Sequence, residues 1–377
     1  LRNKEIEAKI NLDKIVSRHL GILAMTGMGK SNLVSLITKK ISEVKGTVII
    51  FDYHNDYTTL NIPNVNVIDA KINPRLLEAD QFSEVLEIRE NADVQQRVLR
   101  MSFTQEVKEA GEFWNKLEYE VASLVNSEDK KLKEIRTSAY RVQDIIEDAQ
   151  RRFDDILDPE IGNPMDYIKE GYTNIINISE LSEKQANVAM GFYLQQLLKD
   201  RKNATIAKHG KSKKQKDYKF FEPVFIILEE AHVFIPKDHD TAAKYWAAKI
   251  AREGRKFGVG LAIVSQRPRS VDLNILSQMG SFAIMKIIQE DDQRQIASAT
   301  ESTSRELISQ LTSLNVGDAV LVGQWTNLPS MVHVEEVKEK KMGADQSATK
   351  AWIKADKMKN VGVESTQGLV EKDLLLD

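Results

Sequence analysis

The stretch AMTGMGKSN (24–32) departs by one residue from the pattern G-x-x-x-x-G-K-[ST], whose backbone amides cradle phosphates. Gly29, Lys30 and Ser31 occupy its last three defined positions, and Ala24 stands where the leading glycine belongs. In such a loop consecutive N–H groups meet the positive end of the following helix. The glycines serve backbone geometry, because certain positions need positive φ or leave no room for a Cβ. Gly27 and Gly29 fall in the tight part of the loop. Ala24 falls at its entrance, where a methyl is most easily tolerated. The residues expected to contact a nucleotide are therefore Thr26, Gly27, Met28, Gly29, Lys30, Ser31 and Asn32. Lys30 would reach the β- and γ-phosphates of ATP, and the Ser31 hydroxyl would help hold Mg²⁺.

The flanking sequence supplies the context this pattern needs. RHLGILAMTG (18–27) reads as a buried strand, and apolar residues from Leu33 to Val44 recur at helical spacing. GTVIIFDYH (46–54) is a second buried strand carrying Asp52 near its end. Strand, loop, helix and strand make a βαβ unit, so the fold class is α/β with a mainly parallel sheet. Residues 1–73 form the first part of that core. Residues 74–172 change texture to long, charged segments of helical period, such as 102–125 and 138–157, and read as a large helical insertion. Strand-like runs return at 174–179, 223–232, 259–268, 281–288, 318–323 and 330–337, with a helix at 183–201. They form the second part of the core, 173–337. Residues 338–377 read as a polar C-terminal tail with one helix near 346–358.

Composition narrows the class. The chain has 377 residues and no cysteine, which excludes disulfides and cysteine-ligated metal centres. Its six histidines lack ligand spacing. No apolar run approaches the roughly 20 residues of a membrane span, and no signal peptide opens the chain, so a cytoplasmic protein without membrane association is expected. The start at Leu1, almost directly before a motif, suggests a longer protein missing an N-terminal piece. A net charge of -3 does not advertise nucleic-acid binding, although a charge sum is blind to distribution. The lysine-rich stretch 208–219 reads as a solvated loop or a nucleic-acid contact.

The second half of a hydrolytic site follows downstream. VFIILEEAH (224–232) is an apolar strand ending in Glu229 and Glu230. The first acid is expected in the metal shell and the second to orient or deprotonate an attacking water. Asp52 is either a further metal-site carboxylate or a strand-end cap. IVSQRP (263–268) puts Gln266 at another strand end, placed to sense a γ-phosphate. IAREGRKFGVG (250–260) offers Arg255 first, and Arg252 second, as arginines reaching a neighbouring subunit's site. The catalytic set read here is thus Lys30, Glu229, Glu230, Gln266, Arg252 and Arg255, and the metal set Ser31, Glu229 and Asp52.

RHLGILAMTGMGKSN, IIFDYHNDY, IILEEAHVFIP, AREGRKFGVGLAIVSQRP and LNVGDAVLVG together resemble the HerA family, within the FtsK/HerA group of RecA-like P-loop ATPases. The resemblance covers most of residues 10–337 and lacks the N-terminal β-barrel of that family. It implies a homo-hexamer with ATP at each subunit junction and double-stranded DNA in the pore. It further implies partnership with the NurA nuclease in resecting DNA ends for recombination repair. It also adds Arg18 to the nucleotide-binding set. Two alternatives remain open at this point: the same ring motor with another cargo, in conjugation, secretion or genome packaging, or a nucleotide-dependent scaffold that does not hydrolyse. Arg267, Arg269 and the 208–219 lysines are candidate DNA contacts.

Overall fold

Apolar, β-branched runs bounded by turns build the centre of the molecule. The computed structural model describes residues 7–89, 91–126, 135–154, 156–208, 218–300 and 304–339. Most of the lysine-rich stretch and the helix expected near 346–358 lie outside them. The strands are β1 (Leu20–Leu23), β2 (Thr47–Asp52), β3 (Val65–Asp69), β4 (Thr173–Asn177), β5 (Val224–Leu228), β6 (Val259–Ser265), β7 (Ser281–Ile284), β8 (Asp318–Gly323) and β9 (Ser330–His333). Among the described residues they form one sheet in the order β3-β4-β2-β5-β6-β1-β7-β8-β9. The first seven in that order run parallel, and β8 and β9 close one edge antiparallel. Every residue of β1, β2, β5 and β6 is buried, as a parallel sheet covered on both faces demands.

Two apolar layers cover the faces. On one, helix α2 (Lys30–Glu43) lays Leu33, Val34, Ile37 and Ile41 over Ile22, Val48, Ile50 and Ile227. On the other, Glu183–Lys208 and Ala242–Glu253 pack together over Ile226, Leu261 and Ile263. The helices Ala79–Val85, Asp93–Ser102, Gln105–Glu109, Phe113–Asn126 and Arg136–Arg152 extend this second layer, through Phe82, Val121, Val142 and Ile146.

The elements differ from the sequence reading at several ends. The strand expected from residue 18 begins at Leu20, because Asn11 caps helix α1 (Leu12–Arg18) through the Lys14 amide. The helix read across 102–125 breaks at 110–112, between a five-residue helix and Phe113. Strand β3 was not expected. It pairs with β4 at the open edge and buries only part of its length, so it lacks the apolar run of the central strands.

Candidate functional site

Parallel strands bring their carboxyl ends to one side, and three of those ends converge here. β1 leads into the loop 24–31, β6 beside it ends at Ser265 before Gln266, and β5 beyond β6 ends before Glu229. Ligands of open α/β sheets bind outside such ends. In the loop, Gly27 and Gly29 have φ of 77° and 102°, backbone that favours glycine, whereas Ala24 is not among the positive-φ residues. Ala24 is fully buried and its amide donates to the Ser265 carbonyl at 3.2 Å. A leading glycine is therefore unnecessary. Lys30 opens α2 and is itself buried.

The polar groups form a connected network. Thr26 Oγ1 donates to Gln266 Oε1, and Gln266 Nε2 donates to Glu230 Oε1. Lys30 Nζ lies 3.7 Å from the same Glu230 oxygen. His232 Nδ1 lies 3.2 Å from the other oxygen, Oε2, outside hydrogen-bond geometry, so Oε2 has no hydrogen-bond partner. The Glu230 backbone is left-handed, at φ 46° and ψ 44°. That conformation costs a non-glycine residue about 1–2 kcal/mol, and such costs persist where surrounding structure enforces a functional placement.

Glu229 is buried beside it, and its Oε1 accepts from the Tyr57 hydroxyl. Burial pushes its carboxyl up from 4.5 to about 7, against the opposing pull of Lys30 and of the Tyr57 hydrogen bond; the Glu230 charge adds to the rise. Burial likewise holds the His232 imidazole below its ordinary value despite Glu230. A cation brought to Glu229 would favour its charged form.

The loop after β2 contributes groups that sequence reasoning missed. Asp56 Oδ2 accepts from Ser31 Oγ at 3.1 Å, Tyr57 reaches Glu229, and His54 Nε2 lies 3.7 Å from Glu230 Oε1. Asp52 arranges this turn: its two oxygens accept from the Asp56 and Tyr57 amides at 2.9 and 2.7 Å. Of the two roles open for Asp52, this geometry supports the cap, one step removed from a metal. Asn32 is likewise engaged elsewhere, giving a hydrogen bond to the Glu335 carbonyl and taking one from the Val337 amide, each at 2.8 Å. Its side chain ties α2 to the segment after β9, and only its backbone faces the task expected of it.

Among the described residues no group of three or more His, Asp or Glu is arranged to hold a metal alone. The donor set nonetheless fits Mg²⁺, which prefers hard oxygens and binds through one or two carboxylates with phosphate and water. The Ser31 hydroxyl and the carboxylates of Glu229 and Glu230 are such oxygens near Lys30.

Arg18, Arg252 and Arg255 are not part of this cluster. Arg18 ends α1 ahead of β1, and the other two precede β6, so all three lie at the amino ends of strands whose carboxyl ends carry the loop and Gln266. The seven residues of β6 span roughly 23 Å at 3.3 Å each. Within one chain, β1 stands between Arg18 and the nucleotide loop. The three arginines instead line a cleft of about 700 Å³ together with Gly280, Gln324 and Asn327.

Comparison with known proteins places this arrangement. The family described as "Helicase HerA, central domain" matches residues 1–197. The DNA double-strand break repair helicase HerA of Sulfolobus acidocaldarius is 38% identical across 94% of this chain and 72% of its own length. The chain belongs to the HerA helicase family. The HerA of Saccharolobus solfataricus is 36% identical over 96% of the chain and 72% of its length. In fold, the chain resembles VirB4 of Thermoanaerobacter pseudethanolicus (TM-score 0.62, 15% identity, 88% of this chain and 94% of that one). It also resembles the plasmid coupling protein TrwB solved with ADP and Mg²⁺ (TM-score 0.56, 12% identity, 89% and 90%). The chain is a P-loop ATPase of mixed α/β architecture. None of its described helices is long and apolar enough to cross a membrane.

Proposed function

We propose that this chain is the ATP-driven motor of a ring that translocates along double-stranded DNA. The observation that carries the proposal is the meeting of the 24–31 loop, Glu229, Glu230 and Gln266 at one place, in a chain whose named relatives are DNA double-strand break repair helicases. ATP is held with its terminal phosphates at Lys30 and the loop amides. Ser31 and Glu229 would hold Mg²⁺, which would supply neutralisation of the phosphate charge. Glu230 offers its carboxylate to an attacking water and takes its proton. Gln266 touches both Thr26 and Glu230, so loss of the γ-phosphate at the loop is felt at the acid and along β6.

Arg255, Arg252 and Arg18 act on a neighbouring subunit's nucleotide. Their cleft lies at the opposite end of the strands from the chain's own loop, which supports a head-to-tail contact between two different surfaces. A homo-hexamer then holds one nucleotide per junction. Duplex DNA is gripped in the pore through its phosphates, with steep salt dependence; Arg267 and Arg269 are candidate contacts. Partnership with a NurA-type nuclease in end resection belongs to the same reading.

The test is ATP turnover with and without duplex DNA in low salt. Stimulation that grows with duplex length supports a motor on DNA, and turnover indifferent to duplex at every salt concentration refutes it.

A further inference from the structure

The turn Asp52–Tyr57 meets two of the protein groups expected around the metal, and nothing in the phosphate-loop pattern requires it to. Ser31 Oγ donates to Asp56 Oδ2 at 3.1 Å, and Tyr57 donates to one oxygen of Glu229. Tyr57 is fully buried, and Asp52 clamps both residues by accepting their backbone amides. A serine hydroxyl has one proton and two lone pairs. A partner that takes the proton fixes the rotor and leaves the lone pairs directed elsewhere. A carboxylate held at one oxygen is likewise restricted in the direction it offers the other. Outer groups that orient metal ligands in this way typically change metal affinity 10–100-fold when removed.

We infer that Asp56 and Tyr57 are positioning residues for the divalent cation that accompanies ATP, Asp56 orienting the Ser31 hydroxyl and Tyr57 the Glu229 carboxylate. Asp52 delivers them as a unit, which explains why a strand-end carboxylate three strands away from the phosphate loop in the sheet bears on the site. A purely structural role for the turn makes a different claim: removing its side chains would weaken folding and nucleotide binding alike, with or without metal.

The inference rests on the ATPase reading of the loop and is tested by binding alone. The affinity of a non-hydrolysable ATP analogue is measured by calorimetry with Mg²⁺ and again with excess EDTA, for the unaltered protein, Asp56→Ala, Asp56→Asn and Tyr57→Phe. The ratio of the two affinities is the gain due to metal. Asp56→Ala and Tyr57→Phe are expected to cut that ratio 10–100-fold and to leave the EDTA affinity within about twofold. Asp56→Asn, which keeps an acceptor oxygen for Ser31, is expected to recover part of the ratio. Tyr57→Phe keeps the buried ring and guards against a fold defect in the Asp56 variants. Equal losses in Mg²⁺ and EDTA, or an unchanged ratio in Tyr57→Phe, would overturn the inference while leaving the nucleotide site standing. Absence of any Mg²⁺ gain in the unaltered protein would sink both.

Discussion

Glu230→Gln is the sharpest perturbation of the proposed chemistry, because it changes charge and basicity while keeping shape. Glu230 holds a left-handed backbone and accepts from Gln266. A glutamine has the same branching and an amide oxygen to accept with, so fold and network should persist. What disappears is a carboxylate with one buried, unpartnered oxygen. General-base catalysis contributes about 10²–10⁴-fold, or about 2.7–5.4 kcal/mol of barrier at 1.36 kcal/mol per decade. The ground state should respond in the opposite sense. Lys30 lies 3.7 Å from Glu230, a gross attraction of about 4 kcal/mol at an effective dielectric near 20. Losing that competitor frees the ammonium for phosphate. Single-turnover hydrolysis of radiolabelled ATP should therefore slow at least 100-fold while nucleotide affinity is retained or tightened. Hydrolysis within about threefold of the unaltered rate, or a tenfold weaker affinity, would refute the assignment of Glu230 as the base.

Three further outcomes follow from other parts of the structure. Gly29→Ala puts a side chain at φ 102° with its Cβ 3.3 Å from Met285 Cε; denaturant unfolding should show a loss of about 1–2 kcal/mol, whereas Ala24→Gly should change nucleotide affinity little. Asn32→Ala severs two backbone ties at an expected cost of about 1–3 kcal/mol, with nucleotide affinity within about threefold; a larger loss of affinity would show that the Asn32 side chain serves the nucleotide as well. Burial lowers the His19 imidazole from 6.5 to about 4, opposed by its hydrogen bond to the Ala251 carbonyl, and its Nδ1 accepts from the Leu261 amide. A neutral His19 in the fold contributes stability above pH 6.5 that is lost as pH falls towards 4, up to about 3 kcal/mol. His19→Gln should flatten that acid limb in equilibrium unfolding, and an unchanged limb would show that His19 is not its source.

The sequence made the centre of this fold readable and left its edges and its long-range meetings obscure. β2, β5 and β6 are buried throughout, so each prints as an apolar run that no helix of that length would need. β3 is a partly exposed, five-residue edge strand that carries Asn66 and ends in Asp69, and its pattern carries little signal. The loop, the paired acids and Gln266 were legible because each sits directly after such a run. Arg18 entered the nucleotide-binding set through the family resemblance, and its nearness to the phosphate loop along the chain is not nearness in space. A strand separates the two, and they stand at its opposite ends. Tyr57 and Glu229 are 172 residues apart, yet the turn after β2 reaches Glu229 beyond neighbouring β5 and Ser31 at the start of α2. Strand order decides that meeting, and no local pattern encodes it.

The shared nucleotide site is tested most directly by mixing two inactive variants. Lys30→Ala cannot use its own loop but keeps its arginine cleft, and Arg255→Ala has the reverse defect. Titrating one into the other at constant total protein, with ATP turnover on duplex DNA as the readout, should give activity that peaks at intermediate ratios. That recovery comes from junctions where an intact loop faces an intact Arg255. Activity that stays at the level of the separate variants at every ratio, in rings shown by native mass spectrometry to contain both, would contradict a site built from two subunits.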